Sequence, residues 1–264
     1  MARVTGRDLK RVAWRTPLLQ ATWNYERQQG LGWAWCFAPV LERLYPDPAE
    51  RYRRLAEHTA YFNTQPTLAS LALGAVANLE EQRALGSASG AIGAPGAPEA
   101  GGCPETDSLT RVKSVLGSAL AALGDRLFWF TLRPFAACLG VLLALGGTWR
   151  GAVAMWICYN AVHLTLRFRG VDWGYRQGPA VFGQRLREQL ETLVTTFSVL
   201  GAALVGVLVA ALLVPGGEPQ SMPYQATLSA GLTLGLLTAQ RPRPSPTQWA
   251  LGAGVLCLIA GWLR

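Results

Sequence analysis

Asp125, Arg126 and Arg133 stand among bulky apolar residues in GSALAALGDRLFWFTLRPF (Gly117–Phe135). An ionisable side chain at membrane depth costs at least roughly 2.5–3.5 kcal/mol on insertion scales, so such groups usually face a partner or a wet cavity. Pro134 adds an irregularity: it has no N–H, and the carbonyl of Phe130 loses its helical donor. A freed carbonyl beside a guanidinium and a carboxylate suits the lining of a path for a polar solute. The same residues also fit a plainer arrangement, in which Asp125 and Arg126 mark a water-facing helix end and Arg133 snorkels.

A second cluster is WNYERQQGLGWAW (Trp23–Trp35). Asn24 and Glu26 offer an amide and a carboxylate, and Trp23, Tyr25, Trp33 and Trp35 offer flat faces. Sugars are held this way, with forked hydrogen bonds to vicinal hydroxyls and a ring over the C–H side. An interfacial aromatic belt with a structural Asn is the competing arrangement. Asn63, in YFNTQP (Tyr61–Pro66), has the chemistry of a turn. His163, in YNAVHL, reads as a structural group near a helix end, with Arg167 four residues on. The chain has no G-x-x-x-x-G-K-[ST], no G-x-S-x-G and no H-E-x-x-H, so no motor or hydrolytic site of those kinds is encoded. No catalytic residue, metal site or cofactor is expected.

The elements that must position these residues are those of a membrane protein. Of 264 residues, 50% are hydrophobic and 15% charged, with 10 Trp and a net charge of +8. Soluble domains carry roughly 25% charge. The arginines flank apolar runs rather than forming a nucleic-acid stripe, so no nucleic acid is expected as a partner. Three of the five cysteines lie in apolar runs and there is no C-x-x-C, which reads as reduced, packing thiols. The basic N-terminus lacks the apolar core of a signal peptide.

Leu193–Val214 is a 22-residue charge-free run, long enough at ~1.5 Å per residue to cross a ~30 Å hydrocarbon core. Pro134–Trp149 and Gly151–Leu166 are shorter apolar runs, read as two helices joined by a turn over Gly146–Gly151. Ala226–Gln240 and Trp249–Leu263 are weaker candidates, separated by RPRPSP (Arg241–Pro246). Arg167–Glu191 holds five arginines against three acids, whereas Pro215–Gln225 holds no Lys or Arg. The positive-inside rule places the first in the cytoplasm and the second outside.

The N-terminal third differs. Thr5-x-x-Asp8 predicts a capped, basic amphipathic helix suited to a membrane surface or to a solvated face. Asp47-Pro48-Ala49-Glu50 predicts a second helix start, with Tyr52, Leu55, Thr59 and Phe62 on its packed face. Thr64–Leu79 is apolar but too short to favour a crossing, and is read as re-entrant or packed. In Gly86–Pro104, 16 of 19 residues are Gly, Ala, Ser or Pro. That predicts a flexible linker between an N-terminal helical part (1–85) and a transmembrane part (105–264). The fold class expected is an all-α polytopic membrane protein, with amphipathic and re-entrant helices first and about three to five transmembrane helices after.

Four stretches carry a resemblance: WRTPLLQATWNYERQQGLGWAWCFAPVLERLYPD, HTAYFNTQP followed by LGAVANLEE, LGDRLFWFTLRP, and YNAVHLTLRFRGVDWGYRQG. In this order they resemble the IID membrane subunit of the mannose/fructose/sorbose family of the bacterial phosphotransferase system. The resemblance implies a non-phosphorylated, multi-pass inner-membrane subunit that pairs with a IIC membrane subunit and passes a hexose inward. A soluble IIAB component phosphorylates the sugar on release. It also makes Asn24, Glu26, Asn63, Asp125 and Arg133 the candidates for the substrate path or its framework. Three positions depart from the usual pattern: Ser118 follows Gly117 where Pro is common, Arg126 follows Gly-Asp where Ser is common, and Gln65 replaces a common His. Arg126 motivates a second reading, a non-transporting membrane partner that docks IIAB-type proteins in nutrient regulation.

Overall fold

A computed structural model describes residues 3–88, 104–213 and 222–239, with Gly252 and Val255. Of the sequence expectations, the stretch from 89 to 103, Arg241–Pro246 and nearly all of Trp249–Leu263 lie outside the described residues. The described secondary structure is helical apart from two isolated bridges. The chain divides into two compact units. One comprises Met1–Gly124 and His163–Arg187, the other Asp125–Val162 and Glu188–Arg264.

In the first unit, α1 (Gly6–Arg15) opens on the expected capping box: Thr5 Oγ1 accepts from the Asp8 N–H and Asp8 Oδ2 accepts from the Thr5 N–H. Leu9, Val12 and Ala13 are buried, while Arg7, Lys10 and Trp14 are exposed. α2 (Gly30–Leu44) packs against α1 and buries Trp33, Phe37, Val40 and Leu41 completely. Its Cys36 is buried as well, and burial pushes the thiol up to about 12, against the smaller opposing pull of Arg15 and Arg167. This is a packing thiol, as its surroundings suggested.

α3 (Pro48–His58) starts where predicted, with Asp47 accepting from the N–H groups of Ala49 and Glu50. Of the predicted packed face, Phe62 is buried and Leu55 and Thr59 are half-buried, but Tyr52 is not packed. Tyr52 is 75% exposed, and the buried residues are Arg54 and His58. The charged stripe turns inward because carboxylates meet it: Glu50 and Glu57 lie 3.3 and 3.4 Å from Arg54.

α4 (Ala69–Ala88) is longer than the apolar run suggested and carries Glu80, Glu81 and Arg83 in its second half. Every residue from Thr67 to Ala77 is buried, so the segment is packed within this unit. The N-terminal part of α5 (Pro104–Leu127) and the C-terminal part of α7 (Arg150–Gln177) complete the unit. α4 and α7 approach at backbone distance. A Cβ on Gly174 would collide with the Leu71 carbonyl, and one on Gly74 with the Val171 carbonyl. Ser70 Oγ donates to the Leu166 carbonyl and Asn78 Nδ2 to that of Tyr175, at 3.0 Å each. Such small-residue crossings are frequent between membrane helices.

In the second unit, α5 ends in a π-helical turn, Phe128–Leu132, before α6 (Arg133–Ala144). Pro134 is the cause to hand: it cannot donate, and the ladder slips to five-residue spacing, with the Arg133 N–H bonded to the Phe128 carbonyl. α6 and α7 are parted at Gly146–Trp149, where the turn was predicted, and Gly147 has φ 74°. α8 (Gln184–Leu213) and α9 (Met222–Ala239) follow, and the Phe135 and Phe197 rings stand 5.1 Å apart. Among the described residues, Leu109–Ala144 and Gln184–Leu212 are long and apolar enough to cross a bilayer.

Candidate functional site

The two aromatic-polar loops of the sequence meet in the first unit. Gln28 adopts φ 53° and turns the chain, so that Asn24 and Gln28 exchange backbone hydrogen bonds at 3.3 and 2.9 Å. The Gln29 N–H then donates to the Phe62 carbonyl, and the Phe62 N–H to that of Arg27. Gln29 is buried, and its amide grips both backbone groups of Thr64, donating to the carbonyl at 2.7 Å and accepting from the N–H at 3.2 Å. WNYERQQ and YFNTQP are therefore one backbone-zipped platform.

Asn24 belongs to the framework. Its Oδ1 accepts from the N–H groups of Glu26 (3.1 Å) and Arg27 (2.8 Å), and its Nδ2 donates to the Thr22 carbonyl. Glu26 and Asn63 are exposed on the same platform, beside Tyr25, whose ring meets Trp23 edge-on at 4.9 Å. Gln65 is structural. Its Oε1 accepts from the N–H groups of Thr67 and Leu68, at 2.7 and 3.0 Å, and so caps the entry to α4. α5 lies against this loop, since a Cβ on Gly124 would strike the Gln65 side chain. Thr67 Oγ1 is in turn 2.8 Å from His163 Nδ1, the structural role expected of that histidine.

Asp125 and Arg133 lie in the second unit. Asp125, Trp129 and Arg133 follow at four-residue spacing across the π turn, and all three are exposed. The Arg133 guanidinium sits 4.9 Å from the Trp129 ring centre, a cation over an aromatic face. Arg126 is also exposed, and its carbonyl accepts from Thr131 Oγ1 at 2.9 Å. A carboxylate, a guanidinium and an indole on one face of an apolar helix can bind hydroxyls and a sugar's C–H face. Of the proposed residues, the structure thus groups Asn24, Glu26 and Asn63 on one platform and Asp125 and Arg133 on one helix. Ser118, where Pro is common, donates its hydroxyl to the Ser114 carbonyl, the group a proline ring there would strike.

A buried ionic cluster escaped the sequence reading. Glu80 Oε1 accepts from the Tyr45 hydroxyl at 2.7 Å, and its Oε2 faces His58 Nε2 at 3.6 Å, too long for a hydrogen bond. Arg83 lies 3.0 Å from Glu57 and 3.9 Å from Glu80. Lys113, 3% exposed, donates to the His58 carbonyl and lies over the Trp33 and Phe62 rings. Trp33 Nε1–H reaches His58 Nδ1 at 3.4 Å, and because an indole only donates, the neutral imidazole carries its proton on Nε2. Burial holds His58 below its ordinary value. Burial raises Glu80, but His58, Tyr45 and Arg83 together hold it below the usual carboxylate range. The available signal was spacing: Arg54 and His58, and Glu80 and Arg83, fall on single helix faces.

The described residues are helical, and two bilayer-length apolar helices with exposed ions beside an aromatic face fit the class of helical membrane proteins. Residues 3–215 match the family model of the "PTS system mannose/fructose/sorbose family IID component", and the chain belongs to that family. It is 35% identical over 210 residues to the mannose-specific EIID component of Escherichia coli (strain K12), covering 78% of this chain and 68% of that one. It is 34% identical to the sorbose-specific EIID component of Klebsiella pneumoniae and 30% identical to the fructose permease IID component of Bacillus subtilis (strain 168). Each of these alignments covers 78% of this chain and 70% of the relative. A chain of the cryoEM structure of the mannose transporter ManYZ in complex with microcin E492 is similar over 100% of this chain and 98% of that one, at 30% identity and TM-score 0.59. A second structure, described as a membrane protein, is similar with TM-score 0.65 at 28% identity, covering 98% of this chain and 97% of that one.

Proposed function

We propose that the chain is the IID subunit of a hexose transporter, forming the translocation path with a IIC subunit while a soluble IIAB component phosphorylates the sugar on release. The subunit is non-catalytic on this reading. It lies in the bacterial inner membrane with about three to five crossings. The observation that carries the reading is Asp125–Trp129–Arg133, two ions and an indole presented on one face of a helix apolar enough to span. Ions there need a polar occupant or partner. Asp125 and Arg133 are the residues assigned to sugar, with Glu26 and Asn63 as further contacts and Asn24 as framework.

The test is uptake and phosphorylation of mannose, fructose or sorbose in cells co-expressing this chain, its IIC partner and IIAB. Asp125→Asn removes the charge at nearly constant shape and is expected to lower uptake about tenfold or more, a loss of roughly 1.4 kcal/mol, with co-purification of IIC unchanged. Uptake unchanged in Asp125→Asn, or in cells lacking this chain, overturns the proposal. Exposed Arg126, a cation beside Asp125, favours the second reading of a non-transporting docking partner. That reading requires IIAB capture by the wild-type complex without sugar accumulation.

A further inference from the structure

In the first unit a groove of about 540 Å³ runs between α1 and the C-terminal part of α7, lined by Lys10, Phe168, Arg169, Asp172, Trp173 and Arg176 among others. Three cations face one carboxylate. Arg176 Nε is held by Asp172 Oδ2 at 2.9 Å. Lys10 and Arg169 are not paired with a carboxylate among the described residues, and Arg169 instead lies 5.9 Å from the Trp173 ring centre. The rim is amphipathic. Trp14 is 73% exposed and stands 4.9 Å from Phe168, and Leu18, one turn further along the chain, is exposed as well.

We propose that this groove binds the headgroup of an anionic phospholipid. The charge is complementary, with Lys10 and Arg169 meeting a phosphate without first breaking an ion pair. The placement is complementary too. The apolar run Gly151–Leu166 of α7 gives way at Arg167 to a basic, aromatic segment, the composition of a bilayer–water boundary. α1 buries its apolar face in protein and leaves Lys10 and Trp14 outward, a cation and an indole available to a headgroup. A free phosphate ion would use the same cations but would have no use for Trp14 and Leu18. None of the residues proposed for sugar lines the groove, so this assignment stands apart from the transport reading.

The experiment is native mass spectrometry of the full chain, purified in detergent with its IIC partner, titrated with phosphatidylglycerol or phosphatidylcholine. Retention of phosphatidylglycerol is expected to exceed that of phosphatidylcholine about fivefold. The double variant Lys10→Gln/Arg169→Gln is expected to lose that preference, whereas Arg51→Gln/Arg53→Gln on α3, an equal loss of charge away from the groove, keeps it. Should the double variant not accumulate, Lys10→Gln alone lowers the preference and is read in the same way. Equal retention of the two lipids by the wild type, or an undiminished preference in the groove variants, overturns the proposal. Displacement of bound phosphatidylglycerol by millimolar inorganic phosphate also overturns it, because the groove would then be an anion site indifferent to lipid.

Discussion

His58 and Glu80 share a buried pocket in which burial and the neighbouring side chains set the charge each carries. His58 is held toward the neutral form because burial keeps its cation from water, with Lys113 adding repulsion, against the opposing pull of Glu80. Glu80 is ionised because a phenol and two nitrogen-bearing side chains face it. Both groups therefore bind protons less readily in the folded chain than in the unfolded one, and stability must rise with pH. On acidification the loss begins as pH falls through 6.5, the ordinary value of His58, and steepens below 4.5, that of Glu80. The midpoint of thermal unfolding in detergent is expected to fall between pH 7.5 and pH 5. Glu80→Ala, which leaves the buried Tyr45 hydroxyl without its acceptor, costs about 1–3 kcal/mol at neutral pH and flattens the acid branch below 4.5. A midpoint independent of pH from 7.5 to 5 defeats this account. At this scale the sequence shows residue types and not their company. Asn24 reads as a sugar ligand by type, yet both ends of its amide are spent on its own loop. Gln65 reads as a departure from pattern, and its carbonyl turns out to cap a helix.

Helices are legible where a local rule decides them. Thr5-x-x-Asp8 and Asp47-Pro48 name their helices' first residues, and Pro134 marks the irregularity between α5 and α6. The length of α4 was not legible, because Glu80, Glu81 and Arg83 look like the end of an apolar run when nothing shows that partners wait for them. The same blindness misplaced part of α3, whose Arg54 and His58 are inside and whose Tyr52 is outside. Nor does composition tell a linker glycine from a contact glycine. At Gly174 the backbone of α4 lies where a side chain would go. Gly174→Leu must push α7 off Leu71 and break the bond from Ser70 to the Leu166 carbonyl. The expected cost is about 2–3 kcal/mol, the usual penalty of overpacking, seen as a lower unfolding midpoint and aggregation on size exclusion. Gly86→Leu, with open space around it, is expected to leave both unchanged, and equal behaviour of the two variants refutes the close approach.

Across the whole molecule, charge decides which way the chain faces the two sides of the bilayer. The five arginines between Arg167 and Glu191 precede the apolar part of α8, and the stretch Pro215–Gln225 that follows it has no basic residue. Moving the arginine-rich stretch outward would oppose the insertion bias, so α8 is expected to run from cytoplasm to exterior. This orientation also joins the two proposals. On the proposed function a soluble IIAB component would meet the sugar on the cytoplasmic side, and the proposed lipid groove draws Arg169 from the same basic segment. A fluorescent-protein fusion after Gly183 is therefore expected to fold and fluoresce, and an alkaline phosphatase fusion after Gly217 to be active. The reverse pairing would place the basic segment outside, put the Lys10–Arg169 groove in the outer leaflet, and leave a phosphorylating partner on the wrong face of the membrane. Replacing Arg185 and Arg187 by Gln tests the cause as well as the result. With three arginines still in the segment the orientation should hold, and a fusion signal that inverts would show that those two charges alone had set it.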